Sequence, residues 1–311
     1  MRNLTFSKYR AAVLFFFILC FSSCLLKADG NTLIPLHAQP TVATDSLFVE
    51  EILADSSLSL LTTGDAVVKI GQAFLNRPYV SGTLEVNAPD ELLVVNTREV
   101  DCTTFVDQVL ALVWAAHDAC RGYADFCLRL QRLRYQGGHV NGYASRCHYF
   151  TQYLSNGTDE CPLFIPVKGD GMERRAVTLN FMSTHPDSYV QLRDDSVMLS
   201  RICTMEQDYT SVTLSYFPDT QEAAFYRSSS SIHDGDILSL VTTVDGLDVS
   251  HLGIAVWVGD ELHLLNASSR KGKVILDAQP LREYLLSRKS CPGILAHRIA
   301  LPARADALLQ E

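Results

Sequence analysis

The spacing of apolar and polar positions changes character at about residue 235. Before that point the apolar residues recur with a helical period. Phe105, Val106, Val109, Leu110, Val113 and Trp114 place an apolar stripe on a helix over 103–114. Residues 48–62 read as one helix and 65–75 as another, the second with Val67, Val68, Ile70, Gly71 and Phe74 on its inner side. The run Asn76-Arg77-Pro78-Tyr79-Val80-Ser81-Gly82 ends that helix in a turn, 91–96 is extended, and 124–133 is again helical. Residues 134–230 mix Gly, Pro and Asp turns with three or four short helical stretches, and no internal repeat is visible. From Gly235 the period becomes two. Strands are predicted over 236–244, 251–258, 261–267 and 273–277, with turns at Asp245-Gly246 and Gly259-Asp260. A helical first half followed by an antiparallel sheet is the α+β class.

Composition narrows the picture. The chain has 311 residues, 47% of them hydrophobic, enough for a substantial core. Its formal net charge of −9, with no Lys/Arg-dense face, argues against nucleic acid as a partner. Arg2, Lys8 and Arg10 precede an apolar run over 11–21 that is short for a bilayer span, so residues 1–24 read as an export signal. Phe21-Ser22-Ser23-Cys24 fits a loose lipobox, with Cys24 as the lipidated residue of a membrane-anchored lipoprotein. Phe21 departs from the usual Leu, and ordinary cleavage near Ala28 is the alternative. Either outcome predicts a periplasmic protein. Residues 25–47 read as a tether and 48–311 as one catalytic domain with helical insertions around 120–230.

Seven further cysteines follow: 102, 120, 127, 147, 161, 203 and 291. An oxidising compartment permits disulfides, but six cysteines beside a reactive one allow fifteen pairings and spacing does not choose among them. No close Cys/His cluster suggests a metal, and no cofactor is implied.

Cys102 stands apart because it opens the helix over 103–114. Helix-start N–H groups and the dipole favour thiolate there, which would arm a nucleophile. Asp101 fits the N-cap position, but its charge would raise the thiol pKa unless its side chain is tied into hydrogen bonds. A base and an orienting group are still needed. His251 opens one strand, and Asn266 closes the next. A short hairpin brings the start of the first beside the end of the second, so the two side chains can touch. Cys102, His251 and Asn266 then form a Cys-His-Asn set. Taken singly, His251 could be an ordinary sheet histidine and Asn266 a turn residue. His263, by strand alternation, faces away from Asn266.

These motifs carry a resemblance. Asp101-Cys102 at a helix start, His251-Leu252-Gly253-Ile254-Ala255, and Asn266-Ala267-Ser268 resemble the NlpC/P60 papain-like cysteine peptidases and amidases of bacterial cell walls. The third polar residue of that family is often His; here it is Asn. Further pieces are similar to the DUF1460 branch: Pro78-Tyr79-Val80-Ser81-Gly82-Thr83-Leu84-Glu85, Asp101-Cys102-Thr103-Thr104-Phe105-Val106, Arg134-Tyr135, Gly142-Tyr143-Ala144-Ser145-Arg146-Cys147-His148-Tyr149 and Gly246-Leu247-Asp248-Val249-Ser250-His251, covering about 64–300. The resemblance implies a papain-like NlpC/P60 fold and an N-acetylmuramoyl-L-alanine amidase acting on muropeptides with a 1,6-anhydro-MurNAc end, in peptidoglycan turnover or recycling. It also implies an oxyanion role for Tyr79, for which a core aromatic is the alternative. Arg146 is expected to pair with a substrate carboxylate or to form a structural salt bridge, and His148 or Tyr149 to contact sugar. Three other readings stay open: a γ-D-glutamyl-diamino acid endopeptidase, a non-catalytic peptidoglycan-binding lipoprotein, and a structural secreted protein with Cys102 in a disulfide.

Overall fold

A computed structural model describes residues 27–28, 32–33, 38–39, 41–85, 90–118, 122–156 and 163–301. The signal segment with Cys24, and Cys120 and Cys161, lie outside these residues. The chain divides into two units. In the first, residues 1–36, strands β1 (Lys27–Ala28) and β2 (Thr32–Leu33) pair antiparallel. Everything below concerns the second, residues 37–311.

Its helical part begins with α1 (Ala43–Leu53), which starts in the stretch expected to be tether and runs into the helix expected from residue 48, and breaks at Ala54-Asp55, where the Asp55 side chain caps a short 3-10 turn over Ser56–Leu60. α2 (Thr63–Ala73) starts at Thr62, whose hydroxyl accepts from the Asp65 N–H. α3 (Cys102–His117) is the central helix, followed by α4 (Tyr123–Arg134). Every residue of α3 from Thr104 to Ala116 is buried, because α1, α2, α4 and the sheet enclose it. The apolar stripe read from the sequence is therefore the inner part of a helix with no solvent face. α2 approaches the sheet closely through Gly71. A Cβ there would lie 2.9 Å from a Leu265 methyl and 3.1 Å from an Ile254 methyl.

The remaining elements are α5 (Phe150–Leu154), β3 (Phe164–Pro166), β4 (Glu173–Val177), α6 (Phe181–Thr184), α7 (Ser196–Gln207), β5 (Val212–Pro218), β6 (Ile237–Val241), β7 (Val249–Val258), β8 (Glu261–Ser268), β9 (Lys273–Leu276), α8 (Leu281–Leu286) and β10 (Gly293–Ile299). Strand order is β4-β5-β10-β6-β7-β8-β9, all antiparallel, with β3 also on β10. The α+β expectation holds. The sheet is larger than the four predicted strands, because the region 134–230 supplies β3, β4 and β5 and the chain's last strand enters the middle.

The sheet is covered on both faces. Ile254 and Leu265 meet α2 and α3. Ala255, Trp257, Leu262 and Leu264 pack with Leu281, Tyr284 and Leu285 of α8 in a second apolar cluster. By strand alternation, His251 and Asn266 belong to the α8 side. The β7–β8 ladder runs from Val258↔Glu261 to Ile254↔Leu265, while β8 continues through Asn266, Ala267 and Ser268 against β9. Beyond Ile254 the two strands part, and that opening positions the site.

Candidate active site

Cys102 is the first residue of α3, held by a reciprocal cap. The Asp101 carboxylate accepts from the Thr104 N–H (2.8 Å) and hydroxyl (2.9 Å), and the Thr104 hydroxyl accepts from the Asp101 N–H (2.8 Å). The Asp101 side chain is thus tied into the helix start, as its neighbour's chemistry requires. The thiol contacts the Thr103 hydroxyl at 4.0 Å and receives hydrogen bonds from the backbone of Thr103 and of Leu252. Leu252 directly follows His251, so the thiol reaches the strand in the gap where β7 has left β8.

His251 Nε2 and Asn266 Oδ1 are 2.9 Å apart. The Asn266 amide nitrogen donates to the Leu264 carbonyl (3.1 Å), which turns Oδ1 toward the ring. An Oδ1 acceptor puts the imidazole proton on Nε2 and leaves Nδ1 free to accept a proton. Asn266 is buried, so this bond is shielded from water. The hairpin argument from sequence holds in the geometry.

Protonation departs from the sequence expectation. Burial, and next the Asp101 charge, push the Cys102 thiol up to about 11, outweighing the N–H groups of Leu252 and Thr103. Burial likewise lowers the His251 pKa; Asn266 and Asp101 raise it and the Arg288 charge lowers it further. The free site therefore rests as thiol and neutral imidazole, not as a pre-formed thiolate. Low polarity penalises both charges before a substrate arrives.

Tyr79 lies on the same rim. Its N–H donates to the Gly272 carbonyl (2.9 Å), and the residue bridges Val100 just before the Cys102 helix. Burial raises the phenol pKa, with the Cys102 and Asp101 charges as the next causes. Its hydroxyl remains protonated at neutral pH and can donate a hydrogen bond.

The Arg134–Tyr149 region behaves differently. Arg146 spends its guanidinium inside the protein: Nε and Nη2 on Glu91 (2.9 Å each), Nη1 on Glu85 (2.6 Å) and Nη2 also toward the Leu84 carbonyl (3.4 Å). The salt-bridge alternative is what the side chain adopts, in place of an open carboxylate receptor. His148 Nε2 contacts the Tyr143 carbonyl at 2.9 Å, and burial followed by the Arg146 charge lowers its pKa to about 3. Tyr149 is buried, donates to Glu206 (2.6 Å) and accepts from the Met182 N–H (3.0 Å). Buried, with its one proton committed to Glu206, the hydroxyl is not presented to a sugar, so that expectation is corrected: Tyr149 ties the insertion together. His263 contacts the Asp277 carbonyl (2.8 Å), away from Asn266 as alternation requires.

Three supports were not read from the sequence. Arg134 forms a buried fork on Asp107 (2.8 and 3.1 Å) and reaches the Val94 carbonyl (2.6 Å), fixing α4 and the extended 91–96 segment to α3. Asp248 accepts from the Thr151 N–H (2.7 Å) and hydroxyl (2.8 Å), anchoring α5 three residues before His251. Arg288 approaches the site from the α8–β10 connection. Such pairings join distant residues, and single residue types in loops carry no signal for them. Among the described residues Cys102, Cys127, Cys147, Cys203 and Cys291 are free thiols, so the disulfide reading of Cys102 finds no partner there.

A family model for AmiA-like proteins, described as N-acetylmuramoyl-L-alanine amidase-like, matches residues 69–294. A crystal structure of an N-acetylmuramoyl-L-alanine amidase from Bacteroides uniformis is 32% identical, with a TM-score of 0.71 over 76% of this chain and 99% of that one. A Bacteroides fragilis structure provisionally named a xylanase is 36% identical, with a TM-score of 0.68 over 74% and 99%. Protein LPG0564 of Legionella pneumophila, described under family DUF1460, is 22% identical with a TM-score of 0.54 over 83% and 98%, a likeness of fold. None of the curated proteins matches the chain. With more than half its length matched, and the matched span running from α2 through the Cys102, His251 and Asn266 segments to the start of β10, the chain belongs to the AmiA-like, N-acetylmuramoyl-L-alanine amidase-like family.

Proposed function

We propose that this protein is an exported cysteine amidase that cuts the bond between the muramic lactyl group and L-Ala in muropeptides, with a preference for 1,6-anhydro-MurNAc ends. The observation that carries the cysteine reading is the 2.9 Å His251–Asn266 bond, formed where the Cys102 thiol meets Leu252. Family membership supports amide hydrolysis in the cell wall. The anhydro preference and a role in turnover or recycling rest on the resemblance to the DUF1460 branch.

The chemistry follows from the protonation states. As the thiol approaches the lactyl carbonyl, its proton passes to His251 Nδ1 and the sulfur–carbon bond forms. Asn266 holds the ring through Nε2 and stabilises the imidazolium. The Cys102 N–H, one of the helix-start donors without an intrahelical acceptor, and the Tyr79 hydroxyl face the developing oxyanion. His251 then returns the proton to the L-Ala nitrogen, the carbon–nitrogen bond breaks, and the free peptide leaves. Water, activated by His251, attacks the thioester and regenerates the thiol with release of the lactyl carboxylate.

A glycosidase would instead need two carboxylates flanking the scissile bond. Here Asp101 is bound in the helix cap and Asp107 is paired with Arg134. We also propose that residues 1–24 direct export and that Cys24 carries lipid; loss of lipid labelling in Cys24→Ser would support the anchor, and unlabelled wild type would remove it. The test of activity is incubation of the mature protein and Cys102→Ala with two muropeptides differing only in anhydro or reducing MurNAc ends, read by mass spectrometry. Free peptide released from the anhydro substrate, absent with Cys102→Ala, supports the amidase. Cleavage within the peptide moves the assignment to a γ-D-glutamyl endopeptidase, and no cleavage to a binding protein.

A further inference from the structure

We propose that Arg288 receives the free α-carboxylate of the second stem-peptide residue on the leaving-group side of the site. This rests on the amidase reading and adds the part of the substrate it leaves open.

Arg288 follows α8, in the connection to β10. Ser290, two residues on, accepts from the Thr243 N–H (2.9 Å), which seats this connection on the loop between β6 and β7, at the end where His251 begins its strand. The guanidinium carbon lies 4.3 Å from the centre of the Tyr284 ring. Its Nε is buried and has no hydrogen-bond partner, and among the described residues no carboxylate forms an ion pair with it. Other arginines of the molecule meet acids: Arg134 on Asp107, Arg146 on Glu85 and Glu91, Arg298 on Asp236, Arg282 on Glu222. The Arg288 fork meets the Tyr284 phenol but, among the described residues, no carboxylate, and stacking on an aromatic ring without an acid partner is how an arginine is held ready for a carboxylate. Arg270, exposed in the turn between β8 and β9, also acts on the Tyr284 phenol, as does the carboxylate of Asp277. Arg270 likewise has no ion-pair partner among the described residues. Two uncompensated cations thus collect at one end of the sheet in a chain of net charge −9.

The mechanism says which part of the substrate meets them. The group protonated by His251 is the leaving amine, so the peptide lies on the His251 side and the sugar on the Cys102 side. The bond between the Thr243 N–H and the Ser290 carbonyl seats the Arg288 connection at the end of β7 that holds His251, and the Arg288 charge lowers the His251 pKa, so the guanidinium stands on the leaving-group side. In a stem peptide the residue after L-Ala is D-Glu linked through its γ-carboxyl. Its α-carboxylate is therefore free, about one residue length (~3.5 Å along an extended chain) beyond the leaving alanine. A carboxylate is also the ligand that the planar fork fits bidentately.

The test uses two anhydro-muropeptide tripeptides that differ only at the second residue, α-carboxylate against α-carboxamide, with wild type, Arg288→Gln and Arg288→Lys. Wild type should process the carboxylate substrate with kcat/KM about 10- to 100-fold above the amide, mostly through KM, the range for a hydrogen bond to a charged group. At a pH above the acid limb, Arg288→Gln should bring the carboxylate substrate down to about the amide's rate and lower the amide's rate far less; Arg288→Lys should fall between. The acid limb of the Arg288→Gln pH profile should also move to higher pH, because a cation that lowers the His251 pKa has gone. Equal rates for wild type on both substrates, or an equal loss on both in Arg288→Gln, would overturn the carboxylate role while leaving the amidase intact. No cleavage of either by wild type would remove the amidase reading and this inference with it.

Discussion

Two corners of the molecule contain the same kinds of side chain and use them in opposite ways. At the end of β7, His251, Asn266, Cys102 and Tyr79 meet with few bonds among them: one between His251 and Asn266, and N–H groups on the thiol. In the 134–149 wall, Arg134, Arg146, His148 and Tyr149 are each bonded to fixed protein partners. A histidine with an open nitrogen is a reagent, and one bound to a carbonyl is a brace. The difference is spare hydrogen-bonding capacity, which residue identity alone does not disclose.

Replacing Cys102 by Ala should widen the contrast most. Turnover of a muropeptide substrate should fall about 10⁴-fold or more, while the melting curve implies a stability change within about 1 kcal/mol. A residual rate within tenfold of wild type would place the nucleophile elsewhere. Arg146→Ala should do the reverse. It strands Glu91 in a buried site and should cost about 3–5 kcal/mol in denaturant unfolding. Unchanged stability with a raised KM would break the comparison by returning Arg146 to the substrate.

Asn266→Ala should reduce kcat by about 10- to 100-fold, the scale of a hydrogen bond to a charged ring. The pH profile sharpens this. Burial lowers the His251 pKa, so the acid limb of wild type should lie below the usual imidazole value of 6.5. Asn266 raises that pKa, so its removal should carry the limb still lower; a limb that stays in place would mean another group titrates. The smallest effect belongs to Tyr149→Phe. Loss of the hydroxyl between Glu206 and the Met182 N–H should cost about 1–3 kcal/mol and leave KM unchanged. A selective rise in KM would instead make Tyr149 a sugar contact.

What could be read in advance follows the same division. The α3 start was legible because Asp101 and Thr104 sit at cap spacing before an apolar period, and β7 and β8 because two apolar runs flank the turn at Gly259-Asp260. The His251–Asn266 contact followed from hairpin geometry alone. β10 was not legible: Ile294, Leu295 and Ala296 are all buried, and a strand covered on both faces has no period of two. Nor was the fate of Arg146, whose partners Glu85 and Glu91 lie 61 and 55 residues away. The balance at the thiol was legible only in part. Helix-start donors are local and visible in sequence, whereas the desolvation that outweighs them depends on everything packed around the thiol.

The last strand of the chain stands in the middle of the sheet, with β5 on one side and β6 on the other. A ribosome makes chains from the N-terminus, so β5 and β6 cannot be joined until Gly293–Ile299 has been made, and pairings this distant form slowly. A chain cut short before Gly293 would hold every residue of the Cys-His-Asn set and lack the strand that joins β5 to β6.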